Sequence, residues 1–270
     1  MISSVFDAVI FDWAGTLIDF GSRAPMQAFV DSFARFNVDI SIAEARQPMG
    51  IAKRPHIAAL LTHPRIHAAW TNAHGHPPSE ADLDAVYADF IPRNMISAAA
   101  HAAPIPGAAR CLQTLREHGL KIGSTTGYTR AIMETILPHA AKHNVTVDHL
   151  VCAEETPSGR PTPLMLWHNL IALNIWPAQR VVKVDDTPIG IAEGLNAGAL
   201  TVGVAVSGNC FGHSEADIAA MSSDEFTAKR HAAYHALRQA GAHYVIDTIA
   251  DLPTILSQHA AQHHKTDGAA

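Results

Sequence analysis

The chain has 270 residues, of which 48% are hydrophobic and 16% are charged, so it has enough apolar material for a core and is not a disordered chain. Its formal net charge of -6 gives no electrostatic footprint for binding to nucleic acid or to an anionic membrane. No apolar run approaches the ~20 residues of a membrane span, and three cysteines are too few for a disulfide framework, so we expect a cytoplasmic protein.

Short apolar segments that end in turn residues recur along the chain, and each predicts a buried strand of a parallel sheet. The first is residues 8–11, which run into a loop that begins at Asp12. Helical segments such as residues 108–119 separate the later strands, so the pattern predicts an α/β fold with a Rossmann-like parallel sheet. The other predicted strands are residues 120–127, 149–155, 179–186, 200–206 and 243–248.

Between the first two strands this alternation stops, and several helical segments follow one another. Ser79, with Asp82 three residues later, is typical of the start of such a helix. A helical block inserted here is expected to cover the carboxyl edge of the sheet, where open α/β sheets bind ligands. The predicted parts are a core of residues 1–20 and 100–260, a helical cap of residues 21–99, and a disordered tail of residues 261–270.

Four polar residues fall at or just beyond the ends of predicted strands: Asp12, Thr126, Arg160 and Asp186. A carboxylate such as Asp12 can act as a nucleophile, while Thr126 and nearby backbone amides can hold phosphoryl oxygens. Arg160 can neutralise the charge of those oxygens, and Asp12 with Asp186 can bind a hard cation such as Mg²⁺. The set therefore predicts a site for phosphoryl chemistry at one edge of the sheet.

Four segments resemble, in chain order, the four motifs of the haloacid dehalogenase superfamily. They are VIFDWAGTLID (residues 9–19), GSTTGYTR (123–130), SGRPTP (158–163) and VKVDDTPIGIAEGLNAG (182–198). Within the superfamily the chain is most similar to the phosphonoacetaldehyde hydrolases (phosphonatases), and the similarity includes the cap segment EARQPMGIAKRPHI (44–57). The resemblance implies hydrolysis of the C–P bond of phosphonoacetaldehyde, with an aspartyl-phosphate formed on Asp12.

Two positions, Ala14 and Lys53, favour this branch of the superfamily. Phosphatases of the superfamily usually carry a second Asp two residues after the nucleophile, where it protonates a departing alkoxide, and here that residue is Ala14. Cleavage of a C–P bond expels carbon instead, and the resemblance implies that Lys53 forms a Schiff base which accepts the electrons of that bond. Arginine cannot form such an imine.

The resemblance also implies the remaining members of the site. The substrate would contact Met49, His56, Thr126, Gly127, Tyr128 and Arg160. Mg²⁺ would be held by Asp12, the backbone carbonyl of Ala14 and Asp186, because this cation prefers oxygen donors. The expected partners are a small phosphonate substrate and a second copy of the chain in a homodimer, with no nucleic acid and no membrane.

The local structure around Lys53 has two possible forms. A continuous helix would put Met49, Lys53 and His56 on one face. Pro55 instead favours the start of a helix, which would leave Lys53 in a turn before it. Arg54 and the nearby cation are expected to lower the pKa of Lys53 toward the free amine.

The fourth motif departs from the superfamily pattern, which commonly has an acid where this chain has Gly190. Asp185 is a possible replacement through an outer-shell water, although consecutive residues of a strand point in opposite directions. The main alternative function is a Mg²⁺-dependent phosphatase or phosphomutase of the same superfamily, which Ala14 disfavours. A non-catalytic nucleotide-binding module is disfavoured because neither GxGxxG nor GxxxxGK[ST] occurs.

Overall fold

The computed structural model describes residues 2–267, with side chains up to His263. Six strands form one sheet: β1 (Ala8–Phe11), β2 (Lys121–Thr126), β3 (His149–Cys152), β4 (Val181–Asp185), β5 (Leu200–Val204) and β6 (Tyr244–Ile246). Six helices lie between β1 and β2, and the first five are α1 (Ala24–Arg35), α2 (Ile42–Arg46), α3 (Lys53–Thr62), α4 (Pro64–His74) and α5 (Glu80–Ala100). The later helices are α6 (Ala108–Glu117), α7 (Arg130–Lys142), α8 (Leu164–Leu173), α9 (Pro188–Ala197), α10 (Glu215–Ala220), α11 (Ser223–Gln239) and α12 (Leu252–Asp267).

All six strands are parallel, in the order β3-β2-β1-β4-β5-β6, so the predicted Rossmann-like sheet is confirmed. β1 is central and is buried along its whole length. Its side chains alternate between the two faces, because Val9 and Phe11 belong to one apolar cluster while Ala8 and Ile10 belong to another. Helices α6, α7 and α12 cover the first face, and α8 and α9 cover the second, which gives a three-layer α/β/α arrangement.

The first five helices, α1–α5, have an apolar cluster of their own. It is formed by side chains between Met26 and Phe90, among them Phe33 and Trp70. Helix α5 packs along α1 and also reaches α7 of the α/β layers. It begins at the predicted N-cap, where Ser79 and Asp82 form a reciprocal capping box. We call α1–α5 the cap helices.

Several predicted strands were extended too far. β3 ends at Cys152 rather than at residue 155, because the carboxylate of Glu155 accepts the Cys152 N–H and turns the chain into a short 3-10 helix.

At the C-terminus, α12 continues through Asp267 and takes in residues 261–267 of the expected disordered tail. Residues 268–270 lie outside the described residues. None of the described helices combines the length and apolarity needed to cross a bilayer.

Candidate active site

A cavity open to solvent, with about 310 Å³ of empty space that includes its mouth, lies at the carboxyl edge of the sheet, under the cap helices. Most of the predicted site residues line it together, although they come from segments far apart in the sequence. Its walls are Asp12, Ala14, Ser22, Pro25, Met49, Gly50, Lys53, Thr126, Gly127, Tyr128, Arg160, Asp186 and Thr187. Four of these residues were not predicted, because none carries a chemical signal that separates it from an ordinary loop residue: Ser22, Pro25, Gly50 and Thr187.

The central strands place Asp12 at the floor of this cavity. Phe11 pairs with Val184 of β4, and the N–H of Asp12 continues the ladder to the Val184 carbonyl at 3.0 Å. Asp12 therefore lies level with the end of β4, where Asp185 and Asp186 follow. Carboxylate oxygens of Asp12, Asp185 and Asp186 lie within 4.8 Å of one another, and all three residues are buried.

This carboxylate cluster fits a divalent cation. The pKa of Asp186 is raised well above its ordinary value, mainly by burial and then by the negative charges of Asp12 and Asp185. Asp186 Oδ2 accepts the Asn209 N–H at 2.7 Å, whereas its buried Oδ1 has no hydrogen-bond partner. Three converging carboxylates with an unpartnered oxygen are what a hard cation requires. The loop of Ala14 closes tightly on them, because a Cβ added at Gly15 would overlap the Asp186 carboxylate.

Arg160 lies beside Asp12 rather than alone at the cavity wall. Its Nη2 is 2.9 Å from Asp12 Oδ1, and its Nε donates to Glu193 Oε2 at 2.9 Å. Lys183 Nζ lies 3.0 Å from the same Glu193 oxygen and 3.1 Å from Asp185 Oδ2. Burial alone would raise the pKa of Asp185, but Arg160 and Lys183 hold it below its ordinary value.

Lys183 and Glu193 are members of the site that were not predicted from the sequence. A signal was present, because a lysine within the apolar strand VVKVD has to be paired when it is buried, and Glu193 lies in the helix that follows. The sequence alone does not say which carboxylate pairs with it. Both side chains are fully buried, and together they hold Arg160 in place next to Asp12.

Lys53 enters the cavity from the cap helices. It is the first residue of α3, so the helix-start form is the one that occurs, with Pro55 in the first turn. Lys53 is 4% exposed, and its Nζ lies 4.8 Å from the ring centre of Tyr128. Burial lowers the pKa of Lys53 to about 8, an effect that Arg160 reinforces and Asp12 opposes.

The expectation that Arg54 lowers this pKa is wrong. The Arg54 side chain is 42% exposed and points away from Lys53 to the carboxylates of Glu80 and Asp84, at 2.8 and 2.7 Å. Adjacent residues in the first turn of a helix project in different directions, so neighbouring sequence positions do not share an environment. Burial accounts for the change instead.

Met49 and His56 have different positions. Met49 lines the cavity from the turn before α3, so it does not share a helix face with Lys53. His56 is not part of the cavity wall. Its Nε2 lies 2.8 Å from the Ala45 carbonyl, and its ring stacks on Phe29 at 4.1 Å between centres. Burial lowers the pKa of His56 to about 3, so this side chain is a neutral packing group behind Lys53.

Thr126, Gly127 and Tyr128 form the opposite wall, directly after β2. The Tyr128 N–H donates to Thr126 Oγ1 at 3.1 Å, which fixes the turn. A Cβ added at Gly127 would lie 2.7 Å from the Ile51 carbonyl, so the cap segment approaches the core closely at this glycine. The loop thus brings the Tyr128 ring, which is 3% exposed, against the Lys53 amine.

Comparisons with known proteins agree with this geometry. The family profile of the haloacid dehalogenase-like hydrolases matches residues 6–198. The chain is 53% identical to a phosphonoacetaldehyde hydrolase of Paraburkholderia xenovorans over 249 residues, which is 92% of this chain and 93% of the relative. It is 47% identical over 253 residues to a phosphonoacetaldehyde hydrolase of Aeromonas hydrophila, with 93% and 91% covered.

A solved structure gives the same result for the fold. The crystal structure of a phosphonoacetaldehyde hydrolase-like protein from Oleispira antarctica matches with a TM-score of 0.92 and 40% identity, and the match covers 94% of this chain and 92% of that one. The predicted resemblance is thereby confirmed over both the sheet and the cap helices. The chain belongs to the haloacid dehalogenase-like hydrolases and, within them, to the family of the phosphonoacetaldehyde hydrolases.

Proposed function

We propose that this protein hydrolyses the C–P bond of phosphonoacetaldehyde to give acetaldehyde and phosphate. One observation carries the proposal: a buried lysine whose pKa is lowered to about 8 lines the same cavity as the Asp12 carboxylate. A lysine in that state supplies a free amine near neutral pH, and free amines condense with aldehydes. The names of the relatives support the same substrate.

In the first step the Lys53 amine adds to the aldehyde carbon, water leaves, and a protonated imine forms. A carboxylate oxygen of Asp12 then attacks phosphorus. The electron pair of the C–P bond moves into the imine and produces an enamine, so no free carbanion is needed. Protonation of the enamine carbon and hydrolysis of the imine release acetaldehyde and regenerate Lys53. Water cleaves the remaining aspartyl-phosphate and restores Asp12.

Arg160 and the loop after β2 bind and orient the phosphonate. The guanidinium lies beside Asp12 and is anchored by Glu193, so its position does not depend on the substrate. Thr126, Gly127 and Tyr128 line the opposite wall, and Met49 borders the aldehyde end near Lys53. We assign these residues to substrate binding and give His56 the role of supporting Lys53 from behind.

The cation in this proposal is Mg²⁺, held by Asp12, Asp186 and the Ala14 carbonyl, with Asp185 beside them. When bound, it offsets the negative charge shared by the phosphonate and the carboxylates. The absence of an acid at position 14 disfavours the alternative phosphatase or phosphomutase, because an alkoxide leaving group would lack a proton donor there.

We further propose that the chain divides into an α/β core of residues 1–20 and 100–260 and a cap of residues 21–99, and that it works as a cytoplasmic homodimer. The separate apolar cluster of the cap helices supports this division. The free thiols of Cys111, Cys152 and Cys210 support a reducing compartment. Analytical ultracentrifugation measures the oligomeric state directly.

Chemical trapping tests the proposed function. Borohydride added together with phosphonoacetaldehyde is expected to reduce the imine to a secondary amine, inactivate the protein and leave a mass label on Lys53. Lys53→Arg keeps the charge but cannot form the imine, so it is expected to lose both the label and phosphate release. The matched control is Lys142→Arg, at an exposed lysine of α7, which is expected to keep both. Labelling of another lysine, or phosphate release by Lys53→Arg, would refute the proposal.

A further inference from the structure

Arg46, the last residue of α2, reaches from the cap helices into the core. Its Nη1 donates to the Gly21 carbonyl and to Asn209 Oδ1, both at 2.9 Å, and approaches the Ser22 and Asn209 carbonyls at 3.3 and 3.4 Å. Its Nη2 donates to the Gly212 carbonyl at 3.3 Å. One guanidinium thus contacts five oxygens, from the segment that connects β1 to α1 and from the loop after β5.

The partners of Arg46 differ from those of two other arginines of the cap helices. Arg54 and Arg65 pair with carboxylates of the same cap helices, and their side chains are 42% and 50% exposed. The oxygens around Arg46 are neutral, and the guanidinium is half buried among them. The planar guanidinium has five N–H donors and can bond several carbonyls at once, whereas the compact ammonium of a lysine cannot take its place. Its contacts therefore fix where α2 lies on the core rather than how the cap helices fold.

The backbone of the core packs closely around the Arg46 guanidinium and forms a binding seat for it at Gly21 and Gly212. Gly212 has a φ of +74°, and a Cβ added there would lie 3.0 Å from Arg46 Cζ. Gly21 also has a positive φ, of +86°, and its N–H donates to the Ser207 carbonyl at 2.7 Å. Two glycines in left-handed conformations therefore bring two backbone segments against the guanidinium.

Asn209 connects this seat to the carboxylate cluster. Its side-chain oxygen accepts from Arg46, and its backbone N–H donates to Asp186 Oδ2 at 2.7 Å. Asp186 Oδ1 is left without a hydrogen-bond partner and is therefore free for a cation. Gly208, directly before Asn209, packs against Asp186 so closely that a Cβ added there would lie 2.5 Å from Asp186 Cβ. A displacement of Arg46 would therefore shift Asn209, and Asn209 would in turn shift the Asp186 carboxylate.

We propose that Arg46 is a positioning residue that latches the cap helices over the cavity and, through Asn209, orients Asp186 for the cation. Closure of the cap and cation binding are then coupled, since each stabilises the same arrangement of residues 207–212. By linkage, loosening the latch weakens cation binding and cation binding tightens the latch. The identity of the cation as Mg²⁺ rests on the proposed function, but the latch does not require turnover.

The first experiment measures access to Lys53 in the absence of substrate. Trinitrobenzenesulfonate labels free amines, and peptide mass analysis gives the rate at Lys53 relative to the exposed Lys142 of the same molecule. In Arg46→Gln we expect Lys53 to label at least about tenfold faster, since one hydrogen bond to a charged group is worth that factor. Arg65→Gln is the matched control within the cap helices, and its rate is expected to equal that of the unmodified chain.

Arg46→Lys keeps the charge but lacks the branched guanidinium. We therefore expect Lys53 in this variant to label faster than in the unmodified chain and more slowly than in Arg46→Gln. Thermal melting establishes that each variant is folded before it is labelled. The latch is refuted if Lys53 in folded Arg46→Gln or Arg46→Lys is as protected as in the unmodified chain. It is also refuted if Arg65→Gln exposes Lys53 to the same extent, because any loosening of the cap helices would then suffice.

The second experiment tests the coupling by calorimetric titration with Mg²⁺ alone. Arg46→Gln and Asn209→Ala are each expected to weaken Mg²⁺ binding about tenfold, and the double variant is expected to be no weaker than Arg46→Gln. Full additivity of the two effects, or an unchanged affinity in Arg46→Gln, contradicts the connection through Asn209. Neither readout uses phosphonoacetaldehyde, so a failure of the proposed reaction is distinguishable from a failure of the latch.

Discussion

The carboxyl group of Asp185 fills the space that a side chain at Gly190 would occupy. A Cβ added at position 190 would overlap the Asp185 carboxyl carbon and both of its oxygens. Asp185 is held there by the N–H and Oγ1 of Thr187, at 3.0 and 2.7 Å. The two side chains therefore cannot share this space, and the Asp185 carboxylate lies where an acid at position 190 would begin.

This relationship predicts the result of exchanging the two residues. Gly190→Ala is expected to displace the Asp185 carboxylate and to lower kcat/KM by at least about tenfold, the scale of losing one charged hydrogen bond. Gly159→Ala is the matched control, because a Cβ there meets no atom closer than 4.0 Å. The double variant, which combines Asp185→Gly with Gly190→Asp, is expected to be more active than Asp185→Gly alone and more active than Gly190→Asp alone. Equal or lower activity of the double variant would show that the two positions are not interchangeable.

Replacement of the nucleophile predicts the largest loss of activity. Asp12→Asn keeps the shape of the side chain but removes the attacking charge and one cation ligand, so phosphate release is expected to fall by more than ~10³-fold. Asp7→Asn, at a surface carboxylate paired with Arg180, is the control and is expected to keep its activity. Near-normal phosphate release by Asp12→Asn, or in excess chelator, would contradict the aspartyl-phosphate mechanism.

The lowered pKa of Lys53 predicts the pH dependence of imine trapping. Condensation needs the free amine, whose fraction rises with pH through a pKa of about 8. The rate of borohydride trapping is therefore expected to increase about tenfold between about pH 7 and about pH 9 and then to level off. A lysine with the ordinary pKa of 10.5 would give a rate that continues to climb above that range. Continued increase would show that burial does not lower this pKa.

Ala14 can be tested by adding the acid that phosphatases carry. Ala14→Asp is expected not to raise the rate of C–P cleavage, because the departing enamine carbon needs no proton from this position during bond breaking. The new carboxylate also adds charge to the cluster around Asp12. Parallel assays of phosphonoacetaldehyde and of phosphate esters separate the two activities. Faster C–P cleavage would contradict this explanation of the alanine.

Glu193 is predicted to stabilise the site and the fold together. Glu193→Gln leaves Arg160 and Lys183 buried with one counter-charge fewer, and loss of one partner from a buried ion pair costs about 3–5 kcal/mol. Urea unfolding measures this loss, and kcat is expected to fall with it because Arg160 is no longer anchored beside Asp12. Arg180→Gln, which breaks an ion pair at the surface, is expected to cost less than about 1 kcal/mol. Similar costs for the two variants would contradict the assigned role of Glu193.

The sequence by itself determined the kind of sheet, the helical insertion and most of the cavity wall. Continuous apolar strands separated by helices are typical of a parallel sheet, and residues that follow its strands meet at one edge. Asp12, Thr126 and Asp186 are therefore found together as expected. Lys53 was identified through a family resemblance, and the comparisons confirm that family over more than nine-tenths of the chain.

Only the tertiary structure decided which side chains share an environment. Arg54 follows Lys53 directly and yet pairs with carboxylates of α5, while Arg46 joins the core at Asn209, 163 positions later. The Asp185 carboxylate, the ion pairs of Glu193 and the packing of His56 likewise depend on the direction of each side chain and on how closely distant segments approach. Periodicity and spacing describe positions along one element, whereas buried charges are paired by distances between elements.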